Sequence, residues 1–279
     1  MTWRPIRLAA AALGITLGAA LTVAAAPARV VSINLCTDQL AMMLAAPGQL
    51  ASVSWLAADP RSSAMAAAAG GYRLNHAQAE QIFLMHPDLV LAGKYNAAAT
   101  VSLLRRLGVT VVQIAPATSF ADVRRNLLAV GAALGREAQA REMADRFDAD
   151  LAALRVTGET PAPAALYYPS GYTPGAGTLA DEILKLTGFR NIAAQAGVSG
   201  GGTLPLEKLV MARPRLIVTS APYPGESRAE EILRHPALRD VRAQAMHVTS
   251  DADWVCGTPK LLGAVAKMAQ ARRALEGGK

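Results

Sequence analysis

Short runs of β-branched and aliphatic residues alternate along this chain with longer stretches whose apolar residues recur every three or four positions. That alternation predicts α/β layers with parallel strands. In the first half, strands are expected at Arg29 to Ile33, Leu50 to Val53, Leu89 to Ala92 and Thr110 to Ile114, and helices near Thr37 to Leu44, His76 to Met85, Ala97 to Leu107 and Phe120 to Leu134. After Gly135 and Arg136 a long amphipathic helix runs to Arg155. Met143, Phe147, Leu151 and Leu154 fall on one face and Arg141, Glu142, Asp145, Arg146 and Asp148 on the other. Thr157 to Pro163, with Gly158, Pro161 and Pro163, reads as a hinge or boundary. The alternation then restarts, with strands at Ala164 to Tyr168, Leu216 to Thr219 and Met246 to Thr249 and a closing helix from Pro259 to Leu275.

The pattern also repeats. Glu80-Gln81-Ile82-Phe83-Leu84-Met85-His86-Pro87-Asp88-Leu89-Val90-Leu91 is echoed 127 residues later by Glu207-Lys208-Leu209-Val210-Met211-Ala212-Arg213-Pro214-Arg215-Leu216-Ile217-Val218. Glutamate, proline and leucine recur at the same offsets. Each copy predicts a short helix, ended because proline disfavours helical geometry in the residue before it, followed by a buried parallel strand. Two such units imply two similar lobes.

Composition narrows the setting. Of 279 residues, 52% are apolar and 18% charged, which excludes a disordered or collagen-like chain. The one long apolar run, Leu8 to Ala26, follows Arg4 and Arg7 and ends in Ala24-Ala25-Ala26-Pro27-Ala28. This is the pattern of a Sec-type secretory signal peptide over residues 1–28, with no cysteine near the cleavage site to form a lipobox. Later apolar runs fall short of the roughly 20 residues of a bilayer span, so a freely diffusing periplasmic protein is expected. Without Arg4 and Arg7, 26 Lys and Arg face 21 Asp and Glu, a dispersed net charge of +5 that makes nucleic acid an unexpected partner. Cys36 and Cys256 in an exported chain leave three readings open: one long-range bridge, two separate thiols, or a two-thiolate metal site, for which no histidine accompanies either cysteine.

The order of the Arg29 to Ile33 strand, the two Glu-to-Pro-to-Leu segments, Gly175-Ala176-Gly177-Thr178-Leu179-Ala180-Asp181-Glu182 and the Asp253-Trp254 pair resembles the periplasmic substrate-binding proteins of ABC importers. The similarity lies with the helix-bridged class that binds vitamin B12 and ferric siderophores, and it extends over everything after residue 28. It implies two Rossmann-like lobes with parallel sheets, residues 29–135 and 158–279, joined by one long α-helix over 136–157, with a ligand cleft between them. It also implies a monomer that does no covalent chemistry, holds no intrinsic cofactor, and passes a ferric siderophore or corrinoid to an inner-membrane permease. Glu80 and Glu207 match the glutamates that meet permease arginines. The resemblance places Cys36 and Cys256 at the cleft, one from each lobe. A bond between them would clamp the lobes, a departure from the family pattern.

Ligands of open α/β sheets lie beyond the carboxyl ends of strands, which makes Trp55, Lys94, Tyr95, Tyr168, Tyr172, Asp253 and Trp254 the candidate ligand contacts, while Phe83, Phe120, Phe147 and Phe189 read as core. Tyr95 could serve as an axial ligand if the cargo were haem. Tyr72 and Tyr223 fall in loops. Gly197-Val198-Ser199-Gly200-Gly201 fits the G-x-S-x-G pattern and, with His247, defines the competing reading as a secreted α/β serine hydrolase, but it lacks the strand before and helix after that a nucleophile elbow requires. Gly175 to Ala180 fits a dinucleotide fingerprint only in part, and Thr178 with Asp181 reads instead as a helix cap. His76, His86, His235 and His247 are dispersed, so no metal site is expected.

Overall fold

The computed structural model describes residues 25–277 apart from 97, 158–159, 223–224 and 226. The expected signal peptide falls mostly outside the described residues, as do Tyr223, Gly158, Glu159 and the first residue of the helix expected from Ala97. The chain runs β1 (Val30–Ser32), α1 (Leu35–Leu44), β2 (Leu50–Ser54), α2 (Ala66–Ala69), β3 (Arg73–Asn75), α3 (Ala79–Phe83), β4 (Leu89–Gly93), α4 (Ala98–Arg106), β5 (Thr110–Ile114), α5 (Phe120–Leu134) and α6 (Glu137–Leu154). It continues through β6 (Ala162–Leu166), β7 (Tyr172–Pro174), α7 (Leu179–Leu186), β8 (Phe189–Asn191), α8 (Ile192–Gln195), β9 (Gly201–Thr203), α9 (Leu206–Met211), β10 (Leu216–Ser220), α10 (Glu231–Arg234), α11 (Pro236–Gln244), β11 (Met246–Ser250) and α12 (Leu262–Gly277).

Two sheets form two lobes, as the alternating pattern implies. The first has the order β3-β2-β1-β4-β5 and the second β11-β10-β6-β8, with parallel pairing in both. The central strands are buried on both faces: Val30, Val31, Val90 and Leu91 in one lobe and Ala165, Leu166, Ile217 and Val218 in the other are inaccessible to solvent. Among the described residues no helix is long and apolar enough to cross a membrane.

Local chemistry fixes the helices that frame the lobes. Asn34 caps α1 by accepting from Cys36 N at 3.0 Å. Ser119 and Asp122 form a reciprocal capping box at the start of α5, which ends at Gly135 in a left-handed conformation, φ 67°. The chain then turns directly into α6. Gly131 of α5 lies so close to α6 that a β-carbon there would collide with Ala140. On α6 the buried Ala140 and Ala144 belong to the first lobe's core, while Phe147 and Leu151 belong to the second's. One helix is thus a shared wall of two cores.

Several features differ from the sequence reading, among them the strand expected at Ala164 to Tyr168, which lies at Ala162–Leu166, and the strands β3 and β8, which were not expected. The helix expected over His76 to Met85 is only Ala79–Phe83, because Asn75 Oδ1 accepts from Ala77 N and Gln81 Oε1 from His76 N, which holds the preceding residues out of the helix. Phe83, expected in the core, is 37% exposed on that short helix and lies 6.5 Å from the His86 ring. The antiparallel pair β7 with β9 went unforeseen, since Tyr-Thr-Pro and Gly-Gly-Thr carry no strand periodicity.

Beyond α6, several contacts among the described residues tie the lobes. Cys36 and Cys256 form a disulfide with their Cα atoms 5.2 Å apart. Beside it the buried Thr258 hydroxyl donates to Gln39 Oε1 at 3.1 Å. Phe120 N donates to Glu182 Oε2 at 2.6 Å, and Arg61 Nη2 donates to the Pro222 carbonyl at 2.7 Å. Next to the disulfide, Asp38 is fully buried; Ser54 donates to one carboxylate oxygen and the other has no partner. Burial lifts its pKa to about 6 against the opposing hydroxyl and backbone hydrogen bonds.

Two outcomes follow for stability. Denatured, unreduced protein should show no thiol titratable with Ellman's reagent; removing both sulfurs in a Cys36→Ser/Cys256→Ser variant should cost up to about 4–5 kcal/mol in denaturant unfolding, since the bridge closes a loop of 220 residues. For Asp38 the folded state binds the proton more tightly than the unfolded chain, so its contribution is fully present below about pH 4 and is lost as pH rises toward about 6. The stability of Asp38→Asn relative to the natural chain, measured by urea titration, should therefore increase from pH 4 to pH 6.5; a constant difference would contradict the buried titration.

Candidate ligand-binding cleft

A parallel sheet opens a crevice where neighbouring strands send their connections in opposite directions. In the first lobe that point lies between β1 and β4. There Asn34 follows β1 and Lys94 and Tyr95 follow β4, and Asn96 ties the two strand ends by donating to the Ile33 carbonyl at 3.0 Å and accepting from Gly93 N at 2.6 Å. A cavity of about 150 Å³ opens here, lined by Asn34, Cys36, Lys94, Tyr95, Pro116 and Val255 among others. A larger space of about 630 Å³ lies between the lobes: Pro60 and Arg61 reach it from the first, Ser220 to Pro222 at the end of β10 and Thr249 to Ala252 around the end of β11 from the second. Val255, 51% exposed, lines both spaces, and its neighbour Cys256 is bonded to Cys36.

The electrostatics are mixed. Arg61 and Lys94 are exposed cations at the first lobe's edge. Asp251 is paired with Lys267, whose amine is held above its ordinary value chiefly by that hydrogen bond. Tyr95 is 80% exposed, so its phenol is free to turn toward a ligand. Tyr168 is mostly buried against the second core, and burial pushes its phenol up to about 12 despite a hydrogen bond with Ser250.

Of the residues expected at the ligand, Lys94 and Tyr95 line the smaller cavity. The other five are not among the residues that line either space. Trp55 opens a single turn after β2, half exposed, with its ring 6.1 Å from His76. Tyr172 sits 6.3 Å from Tyr168. Asp253 faces Lys267 at 3.5 Å, and Trp254 packs on the second core with its indole nitrogen lacking a hydrogen-bond partner. A candidate list weighted toward aromatic residues passed over Arg61, Ser220, Pro222, Asp251 and Val255, of which Ser220 ends β10 and Pro222 and Asp251 shortly follow strands. The strand-end rule, applied to every residue type, finds those three.

Glu80 and Glu207 each lie in the first turn of α3 and α9, both exposed and without an ion-pair partner among the described residues. Ser199 and His247 do not form a catalytic pair: Ser199 lies in the loop before β9, bridged to Ala176, while His247 Nε2 is 2.7 Å from Thr219 Oγ1. Burial, then the charge of Arg242, holds that imidazole below its ordinary pKa. Thr178 caps α7, accepting from Asp181 N at 3.2 Å. Among the described residues no three His, Cys, Asp or Glu side chains cluster at metal-binding distance.

Known proteins share this arrangement. Residues 30–247 match the family model described as periplasmic binding protein. Over 205 residues the chain is 27% identical to the cobalamin-binding protein of Halobacterium salinarum (strain ATCC 29341 / DSM 671 / R1), covering 72% of this chain and 56% of that one. It is 25% identical over 205 residues to the uncharacterized ABC transporter substrate-binding lipoprotein YvrC of Bacillus subtilis (strain 168), covering 68% and 63%. These alignments take in less than two thirds of either relative's length. Among solved structures, the apo periplasmic heme-binding protein RhuT from Roseiflexus sp. RS-1 superposes with a TM-score of 0.71 at 20% identity, covering 88% of this chain and 98% of that one. The vitamin B12 binding protein BtuF of Vibrio cholerae gives 0.67 at 21%, covering 90% and 98%. At such identities the superpositions speak for the fold. The family match, running from β1 into β11 and so taking in both sheets and the helix between them, establishes that the chain belongs to the periplasmic binding protein family.

Proposed function

We propose that this protein captures a corrinoid or a ferric siderophore in the periplasm and delivers it to an ABC importer, Glu80 and Glu207 contacting the permease. The observation that carries the reading is the interlobe space of about 630 Å³ at facing strand ends, a size and position typical of small-molecule sites. Ser220, Thr249 and Ser250 hydroxyls and backbone groups supply hydrogen bonds suited to a ligand rich in amides, and Val255 and Pro222 offer apolar contact. Arg61 and Lys94 suit an anionic chelate. The work is binding without covalent chemistry. Export by residues 1–28 as a Sec-type leader, and the partition into 29–135, 136–157 and 158–279, belong to the same reading.

Because α6 and the disulfide hold the lobes together, specificity comes from a preorganised cleft more than from wide closure. One observation favours a second cargo: the exposed Tyr95 phenol at the rim is chemically suited to bind haem iron.

Titration with cyanocobalamin, ferrichrome and hemin, followed by tryptophan fluorescence and calorimetry, tests this. One of the three should bind at 1:1, and Lys94→Ala or Arg61→Ala should weaken it about tenfold, roughly 1.4 kcal/mol. A Soret band abolished in Tyr95→Phe would select haem. Absence of binding to all three would overturn the assignment.

A further inference from the structure

We propose that Leu84 and Met211 form the apolar half of a two-point docking surface for the membrane permease, each working with the glutamate one helical turn before it. The inference rests on the importer reading above and adds a partner chemistry to it. Leu84 is 72% exposed and Met211 81%, more than any other large aliphatic side chain among the described residues; the similarly exposed Tyr95 belongs to the cleft. Leu84 stands four residues after Glu80, and Met211 four after Glu207, the spacing that puts two side chains on one helical face.

An isolated exposed leucine explains nothing, since much of any protein surface is apolar. Here the exposure is duplicated along with everything beneath it. In both lobes the short helix buries one aliphatic completely, Ile82 and Leu209. Both helices are followed by a non-glycine residue in the left-handed region, His86 at φ 50° and Arg213 at φ 44°, then by Pro87 or Pro214 and a buried central strand. The matched backbone presents the same pair, carboxylate and aliphatic, once on each lobe. The packed core accounts for Ile82 and Leu209 but gives Leu84 and Met211 no partner.

The complementary surface carries two cationic side chains, each beside an apolar depression, separated by the distance between the lobes. Burial of the aliphatic removes water from the adjacent ion pair and so strengthens it. The charges set register and the apolar contacts slow dissociation. Because the lobes are tied, engaging one point raises the effective concentration of the other.

The experiment uses the full processed chain and the importer complex of the same organism reconstituted in nanodiscs, with binding read by biolayer interferometry. Leu84→Gln and Met211→Gln should each weaken docking about tenfold and the double variant by more than either, whereas Leu107→Gln, an exposed leucine elsewhere, should leave it unchanged. Melting temperature and near-ultraviolet circular dichroism verify the folds, with Leu84→Ala and Met211→Ala as milder substitutes. If the double glutamine variant docks normally while Glu80→Lys/Glu207→Lys does not, the apolar inference fails and the importer reading stands. If neither double variant loses docking, the reading itself fails and takes the inference with it. A dimer of the natural chain that Leu84→Gln dissociates would assign the surface to self-association and overturn the proposal.

Discussion

The structure depends on one helix having two cores to satisfy. Ala140 and Ala144 allow α5 and the first sheet's layer to approach closely, and Phe147 and Leu151, two turns further on, fill the second lobe. Neither lobe can shift along α6 without exposing apolar surface of the other, and the hydrophobic effect resists that in proportion to area. The small residues sit where α5 crosses and the large ones where the second sheet must be reached, so the residue sizes along one helix set the spacing of the lobes. The cleft owes its position to this spacing.

The disulfide acts at the opposite side of the same problem. It joins the start of α1, at the carboxyl end of β1, to the segment entering α12, and so pins the cleft lining itself rather than the outer shell. Gln39 and Thr258 reinforce it with a buried hydrogen bond, and Asp38, two residues after Cys36, adds a buried carboxyl whose desolvation costs free energy. The floor is held by a covalent bond, whereas across the larger space the contact from Arg61 to Pro222 is an exposed hydrogen bond. The outer contact is the one that thermal motion breaks first.

Much of the fold was legible because buried parallel strands leave a plain mark. Thr110 to Ile114 and Phe120 to Leu134 coincide with β5 and α5, and the duplicated Glu-to-Pro-to-Leu segments report the two lobes. What escaped notice has a physical reason. The edge strand β3 is three residues long and exposes Arg73 and Leu74, and β7 with β9 is built from Tyr, Pro, Thr and Gly. The cleft was less legible than the fold. Lys94 and Tyr95 could be placed because they directly follow a strongly apolar strand. Arg61 comes from a loop whose course no periodicity describes, while Tyr168 and Trp254 pack against the second core and the half-exposed Trp55 lies beside His76.

The bond between Cys36 and Cys256 also imposes an order of events. Its partners are 220 residues apart, so in a chain made amino end first the earlier thiol is present long before the later one. Until then it stays reduced or must be held by some other thiol, and only the backbone joins the halves. Closure of the ring therefore requires both halves of the chain, and it joins the two sides of the pocket.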